Sequence, residues 1–228
     1  MLYLIPTPIG HLRDITLRAL DVLKQVDLIA CEDTRRTQKL LTHYEIKKPL
    51  VSFHEYSGES RVHEIIQEIK EGKSVALVSD SGTPLISDPG FPVVREAIRN
   101  GIRIEALPGA CAAVTALAAS GLSAVSYSFF GFLPAKSAAR KRKLVCVADR
   151  EETLIFYESP FRLLQALNDI KEILGDREAV LARELTKKFE EISRGYLSEL
   201  IEKFSKKKIL GEIVILVAGK NQKEVLHG

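Results

Sequence analysis

Along the chain, short apolar runs alternate with stretches in which apolar residues recur at helical spacing. Leu2–Ile5, Leu28–Cys31, Leu50–Ser52, Ser74–Ser79 and Arg103–Ala106 read as strands. Between them, 16–25, 34–43, 59–71 and 92–100 read as helices, and 110–120 follows the last strand as another. The clearest stripe is Val62, Ile65, Ile66 and Ile69. Gly101 and Gly121 each follow the end of a helix, where a left-handed residue is wanted. Regular alternation of strand and helix predicts a mostly parallel sheet with helices on both faces.

The second half is patterned differently. Strands are expected at 127–132, 153–157, 179–183, 190–195 and 211–218. A basic helix is expected over 137–149, another from Pro160 to Leu174 capped by Ser159, and a short one over 197–204. Strands here follow one another with less helix between them, which predicts a mixed sheet. The break falls at Gly121–Ser126, so the sequence predicts two α/β domains, 1–121 and 122–228.

Charge sharpens this division. The net charge is only +3, weak for a protein that binds by neutralising phosphates. The first 121 residues carry 14 basic and 15 acidic side chains, and the remainder 19 and 15. The surplus gathers in two clusters, Lys136–Lys143 with five basic residues and Lys203–Lys208 with four. Each is either a solvated helix face or a phosphate-binding patch. Cys31, Cys111 and Cys146 form no paired pattern and lie in apolar stretches, so they are expected in the core. The start of the chain lacks a basic segment and breaks at Pro6 and Pro8, which reads as a strand and not a signal peptide. No apolar run reaches membrane length, and a cytoplasmic protein is expected.

Ligands of an open α/β sheet bind at the carboxyl ends of its strands. Four loops stand out there, PTPIGHLRDIT (6–16), CEDTRR (31–36), SDSGTPLISDPG (79–90) and LPGACAA (107–113), and all but the second carry Gly and Pro. Rigid turns that present main-chain polar groups suit a small polar ligand with an adenosine or sugar part. The G-x-G dinucleotide fingerprint, the P-loop and the G-x-S-x-G elbow are all absent from the sequence. His11, His43, His54, His63 and His227 form no ligand pattern. The carboxylates Glu32, Asp33, Asp80 and Asp88 could hold magnesium, but no metal is expected.

With these loops stand GFLPAK (131–136) and FYESPFR (156–162). Together the motifs resemble the tetrapyrrole methylase superfamily, and within it the branch that modifies ribosomal RNA. The resemblance spans Leu2 to about Gly219. It implies S-adenosylmethionine as cofactor, bound between the two domains, and a homodimer. It further implies methyl transfer to the ribose 2′-hydroxyl of a cytidine in the decoding region of small-subunit (16S) rRNA, as naked RNA or the 30S particle, with no membrane partner. By position, the cofactor contacts implied are Pro8, Asp80, Thr83, Ile86, Cys111, Ala112, Tyr157, Ala182, Gly211 and Glu212. Thr83 stands where porphyrin-type relatives carry Asp, which fits the rRNA branch. His11, Cys111 and Phe161 depart from the residues expected at their positions.

A ribose hydroxyl is a weak acid, so a general base would help its attack. Glu32, Asp33 and Glu184 are the candidate bases. For Asp33 the competing role is capping the helix that opens at Thr34. Lys136 is the candidate for orienting RNA or polarising its hydroxyl, and Arg35, Arg140 and Arg183 are candidate substrate contacts. Arg35 has an alternative partner in Asp33. Two other readings stand beside this one: a tetrapyrrole C-methyltransferase, and a non-catalytic RNA-binding assembly protein.

Overall fold

A computed structural model describes residues 1–54 and 57–221. His227 lies outside them. The chain divides into two compact units, Met1–Cys111 and Ala112 onward. This division precedes the Gly121–Ser126 break because the helix between them belongs to the second unit. Among the described residues no helix is long and apolar enough to cross a membrane.

The first unit holds β1 (Leu2–Ile5), α1 (Leu17–Gln25), β2 (Leu28–Cys31), α2 (Thr34–His43), β3 (Leu50–Ser52), α3 (Glu59–Lys70), β4 (Val75–Val78), α4 (Phe91–Arg99) and β5 (Ile104–Ala106). The strands form one sheet in the order β3-β2-β4-β1-β5, every pair parallel. β4 is buried along its whole length, as a central strand covered on both faces must be. Ile29, Ala76 and Val78 pack with α1 and α2, while Ala30, Val75 and Leu77 pack with α3 and α4.

The second unit holds α5 (Ala112–Ser120), β6 (Tyr127–Phe132), α6 (Ser137–Val145), β7 (Thr153–Glu158), α7 (Leu163–Leu174), β8 (Glu178–Arg183), β9 (Glu191–Tyr196), α8 (Leu197–Ser205) and β10 (Ile213–Val217). Their sheet runs β6-β7-β10-β8-β9, with β6 and β7 parallel and the other pairs antiparallel. This is the mixed sheet that the second half of the sequence predicts. α5 packs against β7, β8 and β10. Arg194 of β9 secures it by donating to the Ser120 carbonyl at 2.9 Å and to that of Ala119, two acceptors left over at a helix C-terminus.

Three details differ from the sequence reading. α6 stops at Val145, and Cys146 is exposed there; Cys31 is the buried cysteine. α7 begins at Leu163 with Arg162 as its cap, so Ser159, Pro160 and Phe161 form a turn ahead of it. In β6 the register with β7 shifts between Phe129 and Phe132, where Gly131 takes a left-handed φ of 62°.

Gly90, before α4, adopts φ 137°, and a Cβ there would press on Leu77 and Leu85. Gly90→Ala is expected to lower stability by about 1–3 kcal/mol. Chemical denaturation measures it; an unchanged midpoint would contradict the strain.

Candidate functional site

At the carboxyl ends of β1, β2, β4 and β5 the four loops are tied to one another. Thr7 and Gly82 exchange main-chain hydrogen bonds, Thr7 N–H to Gly82 O at 2.9 Å and Gly82 N–H to Thr7 O at 3.0 Å. The Thr7 hydroxyl donates to Ser79 O, and the Ser79 hydroxyl to Gly82 O at 2.8 Å. Thr83 Oγ1 donates to Ala110 O at 2.9 Å, joining the β4 loop to the β5 loop. Asp33 N–H donates to Asp80 Oδ1 at 2.9 Å, joining the β2 loop to the β4 loop. Gly109 backs directly onto Pro6, where a Cβ would overlap the ring. Leu85 and Ser87 hold left-handed φ values of 72° and 63°, turning the main chain sharply between Thr83 and Gly90.

The cofactor positions implied by the resemblance in this unit, Pro8, Asp80, Thr83, Ile86 and Cys111, all lie on this tied platform. Ile86 is exposed, and Pro8, Asp80, Thr83 and Cys111 are half-buried. Asp80 is already engaged by the Asp33 amide and faces Arg36 at 3.5 Å. Asp33 caps α2: its carboxylate accepts from the Arg35 amide at 2.8 Å and from the Arg35 guanidinium. Those bonds hold its pKa well below the usual carboxylate range, which makes it a poor proton acceptor. Arg35 is therefore paired with Asp33. Glu32 is half-buried beside it at the end of β2.

In the second unit, Tyr157 at the end of β7 accepts the Ala113 amide on its hydroxyl at 3.2 Å, fixing the first turn of α5 next to Ala112. Ala182 is buried in β8 and pairs with Val214 of β10, which also pairs with Tyr157. Glu184 adopts a left-handed φ of 52°, and its Oε1 accepts from Lys187 Nζ at 3.0 Å and from the Glu212 amide at 3.1 Å. Gly211 lies against that carboxylate, with no room for a Cβ. Burial opposes ionisation of Glu184, but the bonds from Lys187 and the Glu212 amide outweigh it and lower the pKa. Glu184 thus fastens the segment leading into β10.

About half of the residues in the basic clusters are paired with carboxylates, and one of them is buried. Arg140 is the main correction: expected to contact substrate, it is 1% exposed. Its guanidinium pairs with Asp169 of α7 at 2.6 Å and donates to the Pro134 and Ala135 carbonyls at 3.2 and 3.1 Å. Ser137 also bonds Asp169, so one buried pair grips the GFLPAK loop on both sides of Lys136. Lys141 pairs with Glu172. Lys203 and Lys207 converge on Glu191, and Lys206 pairs with Glu202. Arg183, a second expected substrate contact, instead reaches Leu210 O at 2.9 Å and Glu191 at 3.1 Å. Lys136 is exposed, and its side chain has no hydrogen bond or ion pair among the described residues. The sequence reading missed Thr7, Ser79 and Asp169. The available signal for Asp169 was a lone acid on the apolar stripe of Leu163, Ala166, Leu167 and Ile170, opposite a basic helix.

The tetrapyrrole (corrin/porphyrin) methylase profile matches residues 1–201. The chain belongs to that family. Among its relatives it is 51% identical over 225 residues to ribosomal RNA small subunit methyltransferase I of Bacillus subtilis, covering 99% of this chain and 77% of that one. It is 50% identical over 219 residues to the protein of the same name from Thermotoga maritima, covering 96% and 98%. Of solved structures, a cobalt precorrin-4 methyltransferase superimposes with a TM-score of 0.70 at 21% identity, over 95% of this chain and 94% of that one. Diphthine synthase gives 0.72 at 15%, over 98% and 92%. S-adenosylmethionine is the methyl donor of the family. The loop platform of the first unit has the chemistry such a ligand needs: main-chain polar groups on rigid turns, the Thr83 hydroxyl and the apolar Ile86.

Removing one partner of the buried pair, as in Arg140→Met, is expected to cost about 3–5 kcal/mol, and Arg140→Met with Asp169→Leu much less. Denaturant titration compares them; equal losses would show that the pair is not what holds the loop. Burial opposes the charge of Glu191, but Lys207, Lys203, Ser193 and Arg183 outweigh it and hold its pKa at about 2, against an ordinary 4.5. The folded value is the lower one, so the stabilisation is complete above pH 4.5 and is lost as pH falls towards 2. Glu191→Gln should flatten that acid limb in thermal melts across this range; a limb identical to wild type would refute the assignment.

Proposed function

We propose that this chain is an S-adenosylmethionine-dependent methyltransferase acting on small-subunit ribosomal RNA, at the ribose 2′-hydroxyl of a cytidine in the decoding region. The observation that carries the reading is identity near one half, across almost the whole chain, with relatives named as small-subunit rRNA methyltransferases. The RNA or the assembled 30S particle is the partner, and a cytoplasmic homodimer is the working form, as the family resemblance implies.

When bound, S-adenosylmethionine supplies a methyl group already activated by its sulfonium charge. The protein's part is to align the attacking oxygen and keep water out. The donor contacts that the resemblance implies fall on the loop platform in the first unit and, in the second unit, on Ala112, Tyr157, Ala182 and the Gly211–Glu212 segment. Lys136 orients the RNA: its ammonium is unspent, and the Arg140–Asp169 pair fixes the backbone from which it projects. Glu32, half-buried at the end of β2, is the base in this reading and takes the hydroxyl proton.

Purified protein, methyl-labelled S-adenosylmethionine and undermethylated small subunits make the direct test, with modified sites mapped by resistance to alkaline cleavage. A single 2′-O-methylcytidine is expected; label on a base, or none, overturns the reading. Lys136→Ala is expected to lower kcat/KM about 10- to 100-fold, the value of a hydrogen bond to a charged group. Glu32→Gln should lower kcat about 10²–10⁴-fold. Both should leave the affinity for S-adenosylmethionine unchanged in calorimetry.

A further inference from the structure

One edge of the second sheet carries three exposed phenylalanines. β6, β7 and β8 all end there, and β9 and β10 both begin there, as the pairings of Phe132 with Tyr157, of Ile213 with Glu158 and Arg183, and of Arg183 with Glu191 require. Phe132 closes β6 at 55% exposure, Phe161 lies in the turn after β7 at 88%, and Phe189 lies between β8 and β9 at 66%. Their loops follow the strand order, at about 4.8 Å per strand.

The core does not need these rings. Each loop already sends a leucine inward: Leu133, Leu163 and Leu185 are buried. The local backbone also turns each phenylalanine outward. The register shift and left-handed Gly131 precede Phe132, and its ring rests edge-on against Tyr157, with centroids 5.7 Å apart. Phe161 sits in the turn that delays the start of α7. Phe189 follows left-handed Thr186 and carries Lys188 over its ring at 5.6 Å.

Lysines stand between the rings. Lys136 and Lys188 form no ion pair among the described residues, whereas Lys187 is shared by Glu184 and Glu212. Glu190, whose Oε2 accepts the Thr186 amide, is a third carboxylate, so the three lysines and three carboxylates balance and the unpaired ammonium groups are local features. Flat apolar rings interleaved with lysines suit a strand of unstacked bases with its phosphates, since every base offers a π-face. An apolar protein partner would not call for the lysines.

We propose that this edge binds single-stranded RNA, with Phe132, Phe161 and Phe189 as stacking platforms for bases of the substrate. The proposal rests on the rRNA reading and gives it a surface, in place of the half-paired basic clusters.

The test is the full-length triple variant Phe132→Leu, Phe161→Leu, Phe189→Leu, which keeps apolar bulk and removes the π-faces. Three readouts are taken: affinity for a pyrimidine-rich single-stranded oligoribonucleotide, affinity for S-adenosylmethionine, and mass by light scattering. Expected is a loss of RNA affinity of at least tenfold, with donor affinity and mass unchanged, and recovery in the matching triple Tyr variant. Unchanged RNA affinity overturns the proposal. So does a change of mass in the Leu variant, which would make the edge a contact between copies of this chain. Wild-type protein that binds no RNA overturns both this proposal and the rRNA reading. Wild-type protein that binds RNA but adds no ribose methyl sinks the rRNA reading alone, and the Leu and Tyr variants still decide the edge.

Discussion

The first sheet's working edge depends on the exchange of two main-chain hydrogen bonds between Thr7 and Gly82. Parallel strands leave their carboxyl-end loops without partners in the ladder, and buried main-chain groups must find some. Here the β1 and β4 loops satisfy each other, and the hydroxyls of Thr7 and Ser79 complete the set. That tie demands glycine at position 82, where φ is 89° and a Cβ would crowd Ile9. Once Gly82 is fixed, Thr83 is placed to reach Ala110, and Asp80 to receive the Asp33 amide. Four sequence-distant loops are thereby tied into one surface through their main chain.

The second unit meets its constraint electrostatically. Its clustered lysines and arginines read in the sequence as a phosphate-binding patch, yet carboxylates pair with about half of them. Asp169 and Glu172 on α7 meet Arg140 and Lys141 on α6, and Glu191 of β9 meets Lys203 of α8 and Lys207 just after it. These pairs dock helices onto helices and onto the sheet. Of the cations left over, Lys143 lies over the Phe130 ring and Lys188 over the Phe189 ring, each at 5.6 Å.

The order of elements, the parallel sheet, the mixed sheet and the glycine-rich loops were legible because each follows from local periodicity or turn chemistry. The cap formed by Asp33 was legible for the same reason: its partner Arg35 is close in sequence. What was hidden depends on side chains meeting across long stretches of chain. Arg140 sits in a basic run and reads as a surface residue; only the packing of α6 on α7 places it over Asp169. α5 reads as the last helix of the first half, and only long-range contacts, with Tyr157 of β7 and Arg194 of β9 among them, place it in the second. Pro160 carries a strong helix-start signal, yet α7 starts at Leu163 because Glu158, buried at the end of β7, draws Arg162 into an ion pair at 2.6 Å.

That pair bears on how the two working edges are built. Non-glycine residues in left-handed conformations cost about 1–3 kcal/mol each and persist only where their surroundings over-determine them. Leu85 and Ser87 occur between the tied residues Thr83 and Gly90 of the first unit. Glu184 and Thr186 occur where Lys187, Glu190 and Glu212 converge in the second. In both units strain collects beside the carboxyl ends of strands, and in both a dense set of hydrogen bonds holds it. A loop held this way cannot relax to bury an exposed ring or to retract an unpaired lysine. Rigidity of the backbone, imposed from beneath by Glu158–Arg162, Arg140–Asp169 and Glu184–Lys187, is what leaves Lys136 and the phenylalanines facing outward.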